Sequence, residues 1–385
     1  MNTMIYLNNG ATSYPKAPGV AEAMARAIAG LPGAANRSGI EDTDIFDELR
    51  YELARFMGMR DPSRIALGAN ATWGLNLAIF GLGLGEGDLV LTTKAEHNSA
   101  LRPLYAISQS SGVKIHFLDT DTTGRVPVDE WRAAVRELQP RLCVCTHASN
   151  VTGAVNDVAA LVTTAHEYDS LFLLDMSQTL GWLDIDLEVW GVDLAAFTGH
   201  KYLLGPQGTG GLYVRQGLEL APHLLGGTGI HSDMKTMPRS MPAHLEAGTG
   251  NEPGAHGLLA ALAWEKKNPI ATVRDAVYSE LCFLKESLAK LGAFIIDPGE
   301  PCTPVLSFTF EGLQPVDIGS LLFDSYDIMV RAGLHCAPQI FECLGIDPGE
   351  GTVRVSLSRF TTHKELLALI EALQDIFSSE PCWSR

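Results

Sequence analysis

At 385 residues the chain exceeds the size at which one hydrophobic core stops growing, so two domains are expected, and 46% hydrophobic with 19% charged residues excludes a disordered chain. A formal net charge of −17 excludes general affinity for nucleic acid or an anionic membrane, so a small anionic ligand needs a local positive pocket. The opening Met1-Asn2-Thr3-Met4-Ile5-Tyr6 has no basic stretch leading into an apolar one, and no apolar run is long enough to span a bilayer, so the expected location is cytoplasmic.

Along the chain, apolar residues at helical spacing from Asp42 to Met57, stopped by Gly58, predict an amphipathic helix. Strands are expected at Asp88–Thr93, Val113–Leu118, Leu142–Thr146, Leu171–Asp175, Leu194–Thr198 and Gly210–Val214, with helices such as Val128–Leu138 and Val158–Tyr168 between them. That alternation predicts a mostly parallel sheet in one large α/β domain. From about Asn268 the pattern changes to helix Ala276–Leu291, strand Val305–Phe310, helix Val316–Phe323, strand Thr352–Leu357 and helix Lys364–Phe377, a smaller α+β unit. The seven cysteines (Cys143, Cys145, Cys282, Cys302, Cys336, Cys343 and Cys382) are odd in number and lack paired metal-ligand spacing, which disfavours a disulfide framework and a zinc site. No metal is expected. Six of them read as small buried hydrophobes, with Cys336 the exception.

Ligands of open α/β sheets bind beyond the carboxyl ends of the strands. There the sequence places His97, Asn150, Asp175 with Gln178, and Thr198-Gly199-His200-Lys201, each after a different strand. A strand-end lysine beside a histidine can form a Schiff base when a neighbouring cation and partial desolvation free its lone pair. A solvated loop lysine is the alternative, and Asp175 tips the balance because a carboxylate can keep a pyridine nitrogen protonated. Gly68-Ala69-Asn70-Ala71-Thr72 opens the helical pattern Trp73–Phe80, where unpaired backbone N–H groups attract phosphate. Thr72 reads equally as a phosphate ligand or as a simple N-cap. His97 can stack over a cofactor ring and shuttle protons as a catalytic group, or serve only as hydrogen-bonded structure.

In order and spacing, the segments Tyr6-Leu7-Asn8-Asn9-Gly10-Ala11-Thr12, Ala69-Asn70-Ala71-Thr72, Glu96-His97-Asn98, Ser149–Gly153, Asp175–Gln178, Thr198–Lys201, Gly248–Asn251, Arg331–Ala337 and Val353–Ser356 resemble the class V aminotransferase family, specifically its cysteine desulfurase and selenocysteine lyase group. The resemblance implies fold type I of the pyridoxal-phosphate-dependent transferases: a 1–20 segment packing with the small domain, a large cofactor-binding domain at 21–265, and a small domain at 266–385 carrying the cysteine loop. It implies that pyridoxal 5'-phosphate is bonded to Lys201, with Asp175 at its ring nitrogen, Gln178 at its phenolic oxygen and His97 stacked on the ring. Ala71, Thr72, Thr198 and His200 would cradle the phosphate, and Thr249 would reach the phosphate of the other subunit in a homodimer. Asn150 also belongs to the cofactor site and, with Arg354, grips the substrate carboxylate.

Cys336 matches the family's nucleophilic cysteine, with His335 and Arg331 expected to favour its thiolate. The implied reaction converts L-cysteine to L-alanine and leaves a persulfide for a reductant or a sulfur-acceptor protein. Selenocysteine lysis, another C–S lysis or transamination on the same fold, and a non-catalytic partner-binding relative are the alternatives. The chain departs from the family pattern at Asn8, where an acid is usual, and at Gly10, Trp73 and Gly250. Trp73 is expected to reshape the pocket beside the cofactor, and Gly250 to loosen the loop bearing Thr249.

Overall fold

A computed structural model describes residues 4–31, 44–229 and 233–378. In chain order the strands are β1 (Ile5–Tyr6), β2 (Ile65–Gly68), β3 (Leu89–Thr93), β4 (Lys114–Leu118), β5 (Leu142–Thr146), β6 (Leu171–Asp175), β7 (Leu194–Thr198), β8 (Gly210–Val214), β9 (Phe294–Ile296), β10 (Val305–Thr309), β11 (Ile328–Met329), β12 (Arg331–Gly333) and β13 (Thr352–Ser356). A seven-stranded sheet has the order β2-β8-β7-β6-β5-β3-β4. Its pairs are parallel from β4 to β7, and β8 runs antiparallel to both neighbours. The sheet is buried on both faces, and its side chains alternate between two cores. Cys143 and Cys145 of β5 join Phe172, Leu174 and Ala195 on one side, while Val144 joins Val90, Leu173 and Ala196 on the other.

A second sheet, β12-β13-β10-β9, is antiparallel throughout. Helices Arg274–Lys290, Pro315–Tyr326 and His363–Ser378 bring Leu284, Leu288, Ile318, Leu322, Leu369 and Leu373 into its core. Leu7 is buried in that same core, β1 pairs in parallel with β11, and Asn8 bridges to Ser356.

The expected bounds of β5, β6, β7 and β8 coincide with the observed strands, as do those of helix Val128–Leu138. Helix Ile45–Phe56 begins later than the sequence pattern because Asp44 caps it, its carboxylate accepting from Phe46 N at 2.9 Å; Asp42 lies outside the described residues. Strands β1, β2, β9, β11 and β12 are not expected from the pattern, being two to four residues long. Gly210 in β8 makes room for a neighbouring backbone. A Cβ there would sit 2.7 Å from the Cα of Asn70, so only glycine lets the start of helix Ala71–Gly81 approach the sheet edge this closely.

Candidate active site

The carboxyl ends of β3, β5, β6 and β7 open on a cavity of about 230 Å³ lined by His97, Asn150, Asp175, Gln178, Lys201 and Arg354, among others. Ala71, Thr72, Thr198 and His200 line it too. Thr249 does not: it is exposed and lies on a separate cavity of about 530 Å³ with Trp73 and Phe46. Trp73 therefore shapes that second cavity, its indole packed over Gly68, where an added Cβ would come within 2.1 Å of the ring. Gly250 gives way to Phe46, whose ring would lie 2.5 Å from a Cβ at this position.

At the head of helix Ala71–Gly81 the capping role belongs to Asn70, whose side-chain oxygen accepts from Trp73 N at 3.0 Å. The N-cap reading of Thr72 is thereby overturned. Its hydroxyl instead meets Ser99 Oγ at 2.8 Å, and Ser99 Oγ lies 2.7 Å from His97 Nδ1. His97 in turn caps helix Asn98–Ser111, its Nδ1 accepting from Ser99 N at 3.0 Å, so the neutral ring carries its proton on Nε2. Burial, the largest cause, and the nearby Lys201 charge pull the imidazole down to about 4, which keeps it neutral at physiological pH. Behind it, the fully buried Glu96 ties β3 to β5 by accepting from Thr93 Oγ1 at 2.7 Å and Thr146 N at 2.9 Å, and burial raises this carboxyl to about 8.

The amine of Lys201 is pulled down to about 8, chiefly by burial, with Asp175 opposing the shift and Arg354 and Arg331 adding to it. The lowering cations are these two arginines. His200, expected from sequence to supply that charge, is itself pulled down to about 4, again mainly by burial, and its Nδ1 is buried without a partner among the described residues. The His200 carbonyl accepts from Ser13 N at 2.9 Å and from Lys16 Nζ at 2.9 Å, which clamps the N-terminal loop to the peptide just before Lys201. The free-amine fraction of Lys201 grows as pH rises through about 8, so capture of pyridoxal phosphate by the apoprotein should accelerate with that midpoint. Arg331→Met should move the midpoint up and Asp175→Asn should move it down. Stopped-flow absorbance against pH measures both shifts.

Asp175, 3% exposed, accepts through Oδ1 from Ser177 N at 2.9 Å, and its Oδ2 has no hydrogen bond among the described residues. Gln178 donates from Nε2 to the Gly10 carbonyl at 3.0 Å, leaving Oε1 buried and unpartnered. Arg354 is wholly buried; it donates from Nη1 to the Asn150 carbonyl at 2.8 Å and from Nη2 to Asn8 Oδ1 at 3.0 Å, while Nε has no partner among the described residues. Arg331 donates from Nη2 to Cys336 Sγ at 2.9 Å. His335 plays a different part from the one expected of it. It is 2% exposed, its Nε2 lies 2.8 Å from Thr352 Oγ1, and burial together with Arg354 pulls it well below its ordinary value, so it is neutral and brings no charge to the sulfur.

His335 and Cys336 form the centre of a tight turn closed by Ala337 N donating to the Leu334 carbonyl at 2.9 Å. Both have positive φ, 51° and 61°, the pattern of a type I′ turn normally given to asparagine and glycine. The loop is held in that uncommon conformation by Asn150 Nδ2 donating to the His335 carbonyl at 2.7 Å and by Asn98 N donating to the Cys336 carbonyl at 2.7 Å. Of the other cysteines, Cys143, Cys145 and Cys302 are buried as expected, whereas Cys282 is exposed and Cys343 half-buried; Cys382 lies outside the described residues.

Residues 5–369 match the model of the aminotransferase class-V family. The chain belongs to that family. It is 32% identical over 338 residues to a protein named probable cysteine desulfurase from Methanothermobacter thermautotrophicus, covering 86% of this chain and 83% of that one. It is also 31% identical to a cysteine desulfurase of Synechococcus elongatus, matching 89% of this chain but 55% of that relative's length. The fold superposes on an apo cysteine desulfurase structure from Thermococcus onnurineus with a TM-score of 0.87 at 28% identity, covering 98% and 95% of the two chains. Among the described residues, no helix of this class V chain is long and apolar enough to cross a membrane. The site fits the cofactor of the family's pyridoxal-phosphate enzymes. Among the described residues Asp175 and Gln178 present oxygens without hydrogen-bond partners, Thr72 stands in the first turn of a helix, and Lys201 is poised near neutrality.

Proposed function

We propose that this class V protein is a pyridoxal-phosphate-dependent cysteine desulfurase acting on L-cysteine, and the Arg331–Cys336 contact beside the Lys201 cavity carries that reading. Lys201 holds the cofactor, Asp175 the ring nitrogen, Gln178 the phenolic oxygen, and Ala71, Thr72, Thr198 and His200 the phosphate. When bound, pyridoxal phosphate supplies an electron sink for the pair left at the substrate Cα. Arg354 and Asn150 orient the carboxylate, a fork-shaped cationic donor and a neutral amide suited to a planar anion. Lys201 Nζ takes the α-proton, for which an amine lowered to about 8 is well matched. The neutral His97 ring covers the reacting face without adding positive charge. Cys336 Sγ attacks the substrate sulfur; the new S–S bond forms as the substrate C–S bond breaks, its electron pair stays with Cβ, which takes up a proton to become the methyl, and a proton is returned to Cα to complete alanine.

The half-buried Cys336 can be reached from outside, which supports a reductant or sulfur-acceptor protein as the next carrier. Thr249, exposed and outside the lining of its own chain's Lys201 cavity, supports a homodimer in which it serves the partner's phosphate. A core around the second sheet, additional to the two that flank the large sheet, supports the division into 21–265 and 266–385, and Leu7 within it supports joining the start of the 1–20 segment to the latter. A cytoplasmic location belongs to the same reading. Holoenzyme given L-cysteine without reductant and then alkylated should show, by peptide mass spectrometry, one additional sulfur on the peptide containing Cys336. Turnover with the added sulfur on a different cysteine, or on none, would contradict the assignment.

A further inference from the structure

The cavity at the strand ends is lined by three cations, Lys201, Arg331 and Arg354, and by a single carboxylate, Asp175, already engaged by Ser177. Arg354 stands out among them. Its side chain is wholly buried, and among the described residues its hydrogen-bond acceptors include no carboxylate and its Nε is unpartnered. Its two held nitrogens meet neutral acceptors, the Asn150 carbonyl and Asn8 Oδ1. A buried guanidinium usually has a carboxylate partner, because an uncompensated charge in a low-dielectric interior is costly. Here burial and the like charge of Arg331 pull even this group down to about 10.

Asn8 is the acceptor whose chemistry could differ. It sits at the end of β1, fixed by its bridge to Ser356 on β13, the strand that carries Arg354. An aspartate has the same shape, and at this distance it would neutralise the guanidinium from inside the protein. The amide instead aligns Nη2 while leaving its charge for a ligand.

We propose that Asn8 is the positioning residue that sets the affinity of this site for its substrate's carboxylate, by orienting Arg354 without neutralising it. This rests on the reading of Arg354 as a carboxylate binder and does not depend on desulfuration. Asn8→Asp puts a permanent internal anion on the Nη2 that Asn8 now holds, so a ligand carboxylate then meets an already neutralised guanidinium. The lost attraction is expected to weaken carboxylate binding by about tenfold or more, the scale of one charge-assisted hydrogen bond. The effect falls on KM rather than kcat, because Lys201 and Cys336 are untouched.

The test is titration calorimetry of the holoenzyme with L-alanine, alongside KM and kcat for L-cysteine and the melting temperature without ligand, for the unaltered protein, Asn8→Asp and Asn8→Ser. Asn8→Asp is expected to bind L-alanine at least about tenfold more weakly, to raise KM, and to melt higher because a buried charge has gained a partner; Asn8→Ser is expected to lose distinctly less. L-Alanine binding to Asn8→Asp as tight as to the unaltered protein would overturn the proposal, as would a loss in Asn8→Ser equal to that in Asn8→Asp, or a lower melting temperature in Asn8→Asp. An unaltered protein that binds L-alanine but makes none from L-cysteine would refute the desulfurase reading while leaving the comparison of variants to decide this one. An unaltered protein that binds neither amino acid would overturn both.

Discussion

Replacing Lys201 by alanine is expected to lower alanine formation from L-cysteine by roughly 10⁴-fold or more, since in the proposed reaction one amine both holds the cofactor and moves the substrate's α-proton. No second amine is placed to take over. Lys16, whose own amine is lowered to about 8 by burial, is committed to Thr12 Oγ1, Ser13 Oγ and the His200 carbonyl. Borohydride treatment separates the two roles. The unaltered protein should retain reduced cofactor on the peptide containing Lys201, and the variant should retain none, while Asp175, Gln178 and Thr72 still permit reversible binding. A variant with unchanged turnover would show that Lys201 does not carry the chemistry.

Cys336→Ala is expected to lower sulfide release from L-cysteine by roughly 10³-fold or more while leaving cofactor loading and its pH midpoint close to those of the unaltered protein. The reason is positional. Cys336 meets Arg331 at the rim of the cofactor cavity, which Arg331 lines and Cys336 does not, so in the proposed reaction its loss removes the sulfur's acceptor and leaves the proton-moving apparatus in place. With selenocysteine, whose carbon–selenium bond is weaker, the same variant should keep much of its lyase activity. Parallel sulfide and selenide assays measure the contrast, and equal losses on both substrates would tie Cys336 to a step before bond cleavage.

What could be read from the sequence follows physical lines. Strands β5 to β8 are buried at nearly every position, and an apolar run between polar strand ends has little latitude in where it starts or stops. Since ligands gather at the carboxyl ends of such strands, most of the residues selected there meet in one cavity. Choices between adjacent residues of similar chemistry were beyond it. Asn70 and Thr72 are both good capping residues, and the extended backbone at Asn70 decides which of them caps. Ser99, which links Thr72 to His97, carries no signal beyond its place two residues after the histidine.

The cysteine loop was the least legible part. His335 and Cys336 adopt positive φ without the asparagine or glycine that would announce a type I′ turn, and that turn decides the rest. It sends His335 into contact with Thr352 and leaves Arg331 alone to meet the sulfur. Likewise Cys282, placed in the amphipathic helix Arg274–Lys290, is exposed because that helix buries Leu281, Leu284 and Leu288 instead.

The central claim is that Lys201 and Cys336 together convert L-cysteine to L-alanine with transfer of its sulfur. Its most direct test is the simultaneous measurement of alanine and sulfide from purified protein supplied with L-cysteine, pyridoxal phosphate and a thiol reductant, with Cys336→Ala run beside it. The two products are expected in equal amounts, both lost in the variant. Absence of alanine from a protein that has bound the cofactor through Lys201, or formation of a keto acid in its place, would contradict it.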